Sequence, residues 1–270
     1  MPYDPNGLFT GAAPYYAAYR PGYPPEVFTT LRERFGLDRT QQVLDLGCGT
    51  GRLTLPLAKL VAHIHAVDPD SGMLDHAATL AAAAGIDTIT WHHTDASHLA
   101  ELDLPMLDLT TFGASFHWTD RPSLLADLDH RIVPRGAVVV VSGGPPGSAV
   151  APPWQDLVTE VRTAHLGPDR RAGAGTYQHP HLGHAEVLAA SPFSDIDTRT
   201  WTRELDGDID SVVGLQFSYS YSAPSQFADE KARARFETDL HAALTDRFGT
   251  DAVLTEHHTT ELIIATRPTR

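Results

Sequence analysis

From Gln41 onward, short apolar runs alternate with stretches whose apolar residues recur at helical spacing. Residues 43–46 form a short, largely apolar run that ends in glycines. Residues 52–60 follow with Leu53, Leu57 and Leu60 on one helical face. A strand is expected at 64–67, closing on Asp68-Pro69, and then an alanine-rich helix at 71–84 stopped by Gly85. Residues 88–92 and 107–112 read as the next strands. A helix at about 121–131 ends near Pro134-Arg135-Gly136, and 137–141 is a continuous run of the kind a fully buried parallel strand needs.

Alternating βα units of this length predict an α/β fold: a mostly parallel sheet, helices on both faces and right-handed crossovers. Ligands in such sheets sit beyond the carboxyl ends of the strands, near the switch in strand order. The second half is less regular. Residues 145–153 are a proline- and glycine-rich break, 154–166 suits a helix, and 167–183 shows no clear period. Strands are expected at about 196–203 and 261–266, flanking helices near 208–217 and 226–248. These last strands should finish the sheet while the intervening pieces cover a pocket.

Composition narrows the classes. The formal charge is −14, and no basic run appears; Arg170-Arg171 is the longest candidate and stands beside Asp169. A nucleic-acid binder usually presents a basic surface, so a small-molecule partner is favoured over DNA or RNA. No apolar run approaches the roughly 20 residues of a membrane span, and the start MPYDPNGLFTGAAPYY lacks the features of a signal peptide. A cytoplasmic protein is the expectation. Cys48 is the sole cysteine, which excludes an internal disulfide and disfavours a Cys-based zinc site. Lys59 and Lys231 are the only lysines among 20 basic residues, a bias that suggests a GC-rich bacterial source. Oligomeric state is not legible.

The first chemical motif is VLDLGCGTG, residues 43–51. Glycines at alternate positions let the backbone turn tightly and approach a ligand closely. Alone, such a loop equally serves a nicotinamide cofactor or a tight turn with no ligand. Three aspartates sharpen it. Asp45, two residues before Gly47, suits an ammonium group and would repel a pyrophosphate. Asp68 ends the second strand, where a carboxylate accepts from two ribose hydroxyls. Asp95-Ala96 ends the third, where a side chain and a backbone N–H can read an adenine edge. Each aspartate by itself also suits a helix cap or turn.

The set VLDLGCGTG, AVDPDSGML, HTDASHL and LDLTTFGASFHW resembles the class I S-adenosylmethionine-dependent methyltransferases (methyltransferase type 11 domain). The opening YYAAYRPGYPPEVFTTL and the pair His117-Trp118 resemble, more narrowly, the trans-aconitate methyltransferase-like branch of small-molecule enzymes. The resemblance runs from about Phe9 to Pro268 and is strongest to residue 143. It implies a Rossmann-like, seven-stranded, mostly parallel sheet with a helical cap. Residues 1–40 would be an N-terminal cap segment, 41–143 the cofactor-binding core, and 144–270 cap insertions plus the strands that complete the sheet.

The same resemblance implies roles. Gly47, Gly49 and Gly51 would cradle the methionine portion of S-adenosylmethionine and its ribose, with Asp45 at the ammonium. Asp68 and Pro69 would meet the ribose, Met73 the adenine face, and Asp95 and Ala96 its edge. Gly113 would lie beside the sulfonium. Tyr19 and Arg20 would fold over the cofactor, Arg20 pairing with its carboxylate. Tyr15, Trp118, Tyr219 and Tyr221 would border the substrate, and Tyr16 and Tyr23 wall the pocket or pack the segment down.

Methyl transfer from a sulfonium mainly requires holding a lone pair in line with the S–CH3 bond at about 3 Å. A base is needed only where the acceptor must lose a proton, and His117 is the candidate. His179, His181 and His184 have a spacing that suits a metal, yet without a nearby acid or cysteine they read better as a pocket loop, and no metal is expected. The function expected is methylation of a small molecule, at oxygen in preference to nitrogen or carbon, in a tailoring step of bacterial secondary metabolism. The alternatives are a cofactor-binding protein of this fold catalysing another reaction, or a non-catalytic binding module.

Overall fold

The computed structural model describes residues 7–143, 150–172, 175–176 and 181–268. The N-terminal segment folds into α1 (Ala13–Tyr19) and α2 (Pro25–Phe35). The alternating region follows as β1 (Gln42–Leu46), α3 (Thr54–Ala58), β2 (His63–Asp68), α4 (Ser71–Ala83), β3 (Ile89–His93), β4 (Leu107–Gly113), α5 (Arg121–Asp129) and β5 (Ile132–Ser142). Beyond it lie α6 (Gln155–Leu166), the two-residue strands β6 (Arg171–Ala172) and β7 (Gly175–Thr176), and α7 (His184–Ala189). The chain ends in β8 (Asp195–Gly207), α8 (Ile209–Gln216), α9 (Glu230–Phe248) and β9 (Leu254–Thr266).

The main sheet has seven strands in the order β3-β2-β1-β4-β5-β9-β8. β1 pairs parallel with both β2 and β4, so strand order reverses there and opens a crevice at their carboxyl ends. β9 runs antiparallel between β5 and β8. This is the Rossmann-like class I methyltransferase architecture. Two apolar layers flank the sheet. On one face Val27 and Leu31 of α2 meet Leu57 of α3 and Leu74 of α4. On the other, Leu124, Leu125 and Leu128 of α5 meet Phe116, Leu188 and Phe193. A third cluster joins α6, α8 and α9 through Trp154, Val213, Phe217, Phe236 and Leu240, and this is the cap.

Local chemistry explains where elements begin and end. Asp70 caps α4 by accepting from the Met73 backbone N–H at 3.0 Å, and Gly85 leaves the helix at φ +66°. The expected helix at 52–60 shortens to α3, because Gly47, Gly49 and Gly51 all hold positive φ and keep the chain in turns to Leu53. The Pro134-Arg135-Gly136 stretch, expected to end α5, lies inside β5 instead. Ile132 pairs with Leu107 and Ala137 with Leu109, so the residues between bulge out. Gly136 is required there, since a Cβ would come 2.5 Å from the Asp108 carbonyl oxygen.

β8 and β9 pair over their full lengths, from Asp195 with Thr266 to Gly207 with Leu254. β5 covers only residues 261–266 of β9, so the far half of this hairpin overhangs as a two-stranded ribbon. Arg203 of the ribbon ties it to the α1–α2 link by donating to the Gly22 carbonyl at 2.6 Å. No helix among the described residues is long and apolar enough to cross a membrane.

Candidate functional site

The turn after β1 is built to place backbone N–H groups. Gly47 and Cys48 both donate to the Val67 carbonyl, at 2.8 and 3.1 Å. Gly49 donates to Asp68 Oδ2 at 2.8 Å, and the Asp70 N–H to Asp68 Oδ1 at 2.9 Å. Asp68 is thereby fixed on the wall of a cleft of about 780 Å³. Burial raises its carboxyl to about 6, against the pull of those two backbone bonds. Each carboxylate oxygen keeps a second lone-pair direction, which suits a pair of neighbouring hydroxyls.

The rest of the cleft fits a nucleoside. Met73 and Val67 supply buried apolar surface, and Asp95 and Ala96 stand at the end of β3. Asp95 Oδ1 accepts from the Ser97 backbone N–H at 2.7 Å and so caps the 3-10 turn Ala96–Glu101. Gly47, Gly49, Pro69 and Gly113 complete the floor. From above, Leu8, Phe9 and Tyr16 cover it.

A narrow recess continues from the cleft past Gly47, Gly49 and Gly113 to Asp45, Tyr23 and Arg52. Asp45 is fully buried and accepts from Thr54 and Thr111 Oγ1, at 2.5 and 2.8 Å. Burial lifts its carboxyl to about 6, and the two hydroxyls pull the other way. A cationic group would find there a buried acceptor already aligned, and Arg52 offers the complement for a carboxylate. The paired acidic and basic groups suit the two charged ends of an amino-acid tail. Gly113 has no room for a side chain, because a Cβ would lie 2.8 Å from the Tyr23 hydroxyl.

A second chamber, about 600 Å³, shares Phe9, Tyr16, Ala114 and Trp118 with the cleft. Its other walls are Arg20, His117, Arg170, Tyr219, Ser220 and Tyr221. His117 sits on the 3-10 turn Phe116–Trp118, its ring 4.8 Å from Trp118 and 6.2 Å from His184. Burial, aided by Arg121, pushes His184 down to about 4, so that imidazole is neutral near pH 7.

Four expected cofactor or substrate residues lie elsewhere. Tyr15 and Tyr16 are adjacent on α1, about 100° apart around its axis, so only Tyr16 faces the cleft. Tyr15 packs 4.9 Å from Phe217 in the cap and accepts from Arg233. Tyr19 packs on Gly214 of α8 and lines a different cavity with Trp154 and Arg203. Arg20 donates twice to Ser218, covers the Tyr219 ring at 4.0 Å and faces the second chamber, not the cofactor cleft. Gly51 shapes the loop from behind, where a Cβ would crowd Leu55. Arg52, Phe9 and Arg170 were not among the expected site residues, although Arg52 directly follows the glycine loop.

Of the three spaced histidines, His179 lies outside the described residues. His181 is exposed and His184 opens α7. Among the described residues no group of three or more His, Cys, Asp or Glu side chains is arranged to hold a metal. The low value of His184 has a measurable consequence. Unfolded histidine titrates near 6.5, so between about 6.5 and 4 the unfolded chain binds a proton that the folded chain refuses. Stability present above 6.5 is therefore lost as pH falls through that window. The H184N variant should show an acid limb shallower by on the order of 2 kcal/mol in denaturant titrations from pH 7 to 4. Equal slopes for the two proteins would refute this.

The comparisons agree with the geometry. A family model described as a methyltransferase domain matches residues 43–136. An uncharacterized methyltransferase of Mycobacterium tuberculosis is 29% identical over 251 residues, 91% of this chain and 91% of its own length. Among solved structures, a putative type II methyltransferase from Anaeromyxobacter dehalogenans superposes with a TM-score of 0.61 at 22% identity, covering 93% of this chain and 98% of that one. Phosphoethanolamine N-methyltransferase 2 of Haemonchus contortus, solved with phosphomonomethylethanolamine and S-adenosylhomocysteine, has a TM-score of 0.54 at 14% identity, over 97% of this chain and 57% of that one.

Proposed function

We propose that the chain is a class I S-adenosylmethionine-dependent methyltransferase that methylates a small-molecule acceptor, at oxygen in preference to nitrogen or carbon. One observation carries the reading: the cofactor cleft and the second chamber share four wall residues, so an acceptor in the chamber would lie directly against the cleft.

When bound, S-adenosylmethionine supplies an electrophilic methyl group on a sulfonium. Asp68 holds the ribose hydroxyls, Met73 and Ala96 hold the adenine, and Asp45 with Arg52 orients the amino-acid tail. Gly113 leaves the space beside the sulfur open. Phe9, Tyr16 and Trp118 exclude water from the junction, which strengthens attack by the acceptor's lone pair. His117, on the chamber wall, takes the acceptor's proton where one must leave. The bias towards arginine and the irregular cap support a tailoring role in bacterial secondary metabolism, in the cytoplasm.

Incubation with methyl-labelled cofactor and an acceptor panel tests this, with labelled product expected to match S-adenosylhomocysteine formed. The H117Q variant should lose about 100-fold in kcat with the cofactor KM unchanged. S-adenosylhomocysteine binding without labelling of any acceptor would sink the reading in favour of a non-transferring member of the fold.

A further inference from the structure

The second chamber carries a charge pattern opposite to that of the chain. Acidic residues outnumber basic ones 34 to 20, yet among the described residues the chamber wall holds Arg20 and Arg170 and no carboxylate. Arg162, almost fully buried, lies behind the same wall, its guanidinium carbon 5.7 Å from the Tyr221 ring centre. Among the described residues none of these three arginines has a carboxylate within 4.0 Å. Arg162 is occupied by the carbonyls of Gly167 and Asp169 and by Thr163 Oγ1. Among the described residues Arg20 bonds Ser218 and covers the faces of Tyr16 and Tyr219, while its other side lines a neighbouring cavity with Asp206 and Glu256; Arg170 covers the face of Tyr221. In so acidic a chain, guanidinium groups clustered without a direct carboxylate partner can hold an anion.

The chamber also selects shape. The Tyr219 and Tyr221 rings stack at 5.1 Å with planes 10° apart, and Trp118, Tyr16 and Phe9 close the side nearest the cleft. Flat aromatic walls favour a flat aromatic guest. The charged and reacting ends are also separated: Trp118 and Ala114 line both spaces, whereas Arg170 and Tyr221 line the chamber alone.

On the reading of the chamber as the acceptor site, we propose that the acceptor is a hydroxyaryl carboxylate anchored through its carboxylate by Arg20 and Arg170, and that its phenolic oxygen takes the methyl group. A carboxylate gripped by guanidinium groups has its lone pairs committed to charge-assisted hydrogen bonds, which makes it a poor nucleophile and a good anchor. The phenolic end reaches the junction at Trp118. There the O–CH3 bond forms as the S–CH3 bond breaks, the electron pair of that bond stays on sulfur, and the phenolic proton passes to water or to His117.

The test uses the full chain with a panel of hydroxybenzoates, hydroxyphenylacetates and hydroxycinnamates, their methyl esters, and the matching acids without the hydroxyl. Calorimetry on the S-adenosylhomocysteine complex should show acids binding at least tenfold more tightly than their esters. The R170Q variant, altered at an exposed side chain that the fold does not need, should lose that preference, and R20K should retain part of it. The product should be an alkali-stable aryl methyl ether, and acids lacking the hydroxyl should bind without being methylated. Esters bound as tightly as acids, an unchanged preference in R170Q, or an alkali-labile methyl ester as product would each overturn the proposal. Methylation of neutral acceptors alone would overturn it while leaving the methyltransferase reading intact. No methylation of any compound, with S-adenosylhomocysteine still bound, would remove both.

Discussion

Replacing Gly47 with alanine is expected to destabilise the fold by about 2–5 kcal/mol and to abolish cofactor binding. Two effects add. Gly47 holds φ +69°, a conformation that strains any L side chain. A Cβ there would also lie 2.4 Å from Ser115 Cβ, and Ser115 cannot retreat because its hydroxyl donates to the Leu46 carbonyl. The contact joins the β1 turn to the turn after β4, the two segments that form the cofactor floor. Gly49 is the control. Its φ is +53°, but nothing lies within 4 Å of its would-be Cβ. The G49A variant should lose only about 1 kcal/mol of stability, although its methyl group faces the cleft and should still weaken binding. Thermal unfolding and S-adenosylhomocysteine titration of both variants decide the matter. A G47A protein no less stable than G49A would show that Ser115 gives way.

The second large effect belongs to Asp68. Both its oxygens are already fixed by backbone N–H groups, so the ribose meets a preorganised acceptor. Hydrogen bonds to a charged group contribute about 1.5–3 kcal/mol, so D68N should weaken S-adenosylhomocysteine about 10- to 100-fold. The raised carboxyl adds a pH signature. As pH falls through about 6 the group gains a proton and one oxygen becomes a donor, so parent affinity should drop between pH 7 and 5. The D68N protein should lose most of that slope. Any remainder reports Asp45, whose carboxyl is also lifted to about 6. Parent affinity that stays flat over this range would refute the assignment.

The sheet was legible in the sequence because its signals are local. Buried strands read as apolar runs, and the aspartates fall at strand ends whatever the loops do. What local patterning missed depends on distant partners. Most of the overhanging ribbon is polar at alternate positions, and its pairing is set by β9, more than 50 residues away from much of β8. Arg20 looked like a partner for the cofactor carboxylate because both belong near the N-terminal lid. Its direction is fixed by Ser218, 198 residues on, which no short motif foretells. Arg52 was overlooked for the opposite reason. A charged residue one position past a glycine loop reads as solvated, yet here it bonds the carbonyls of Tyr16 and Ala17 and holds α1 over the site.

The place of β9 between β5 and β8 also governs how the chain comes into being. β5 is complete at Ser142, but the strand that covers its free edge begins at Leu254. At ordinary rates of synthesis that interval lasts on the order of ten seconds. Throughout it, a valine-rich edge stands unpaired on the ribosome, the kind of template that recruits other chains. The nascent protein should therefore depend on holding chaperones until its last strand emerges, and premature termination before residue 254 should give aggregates instead of a smaller folded core.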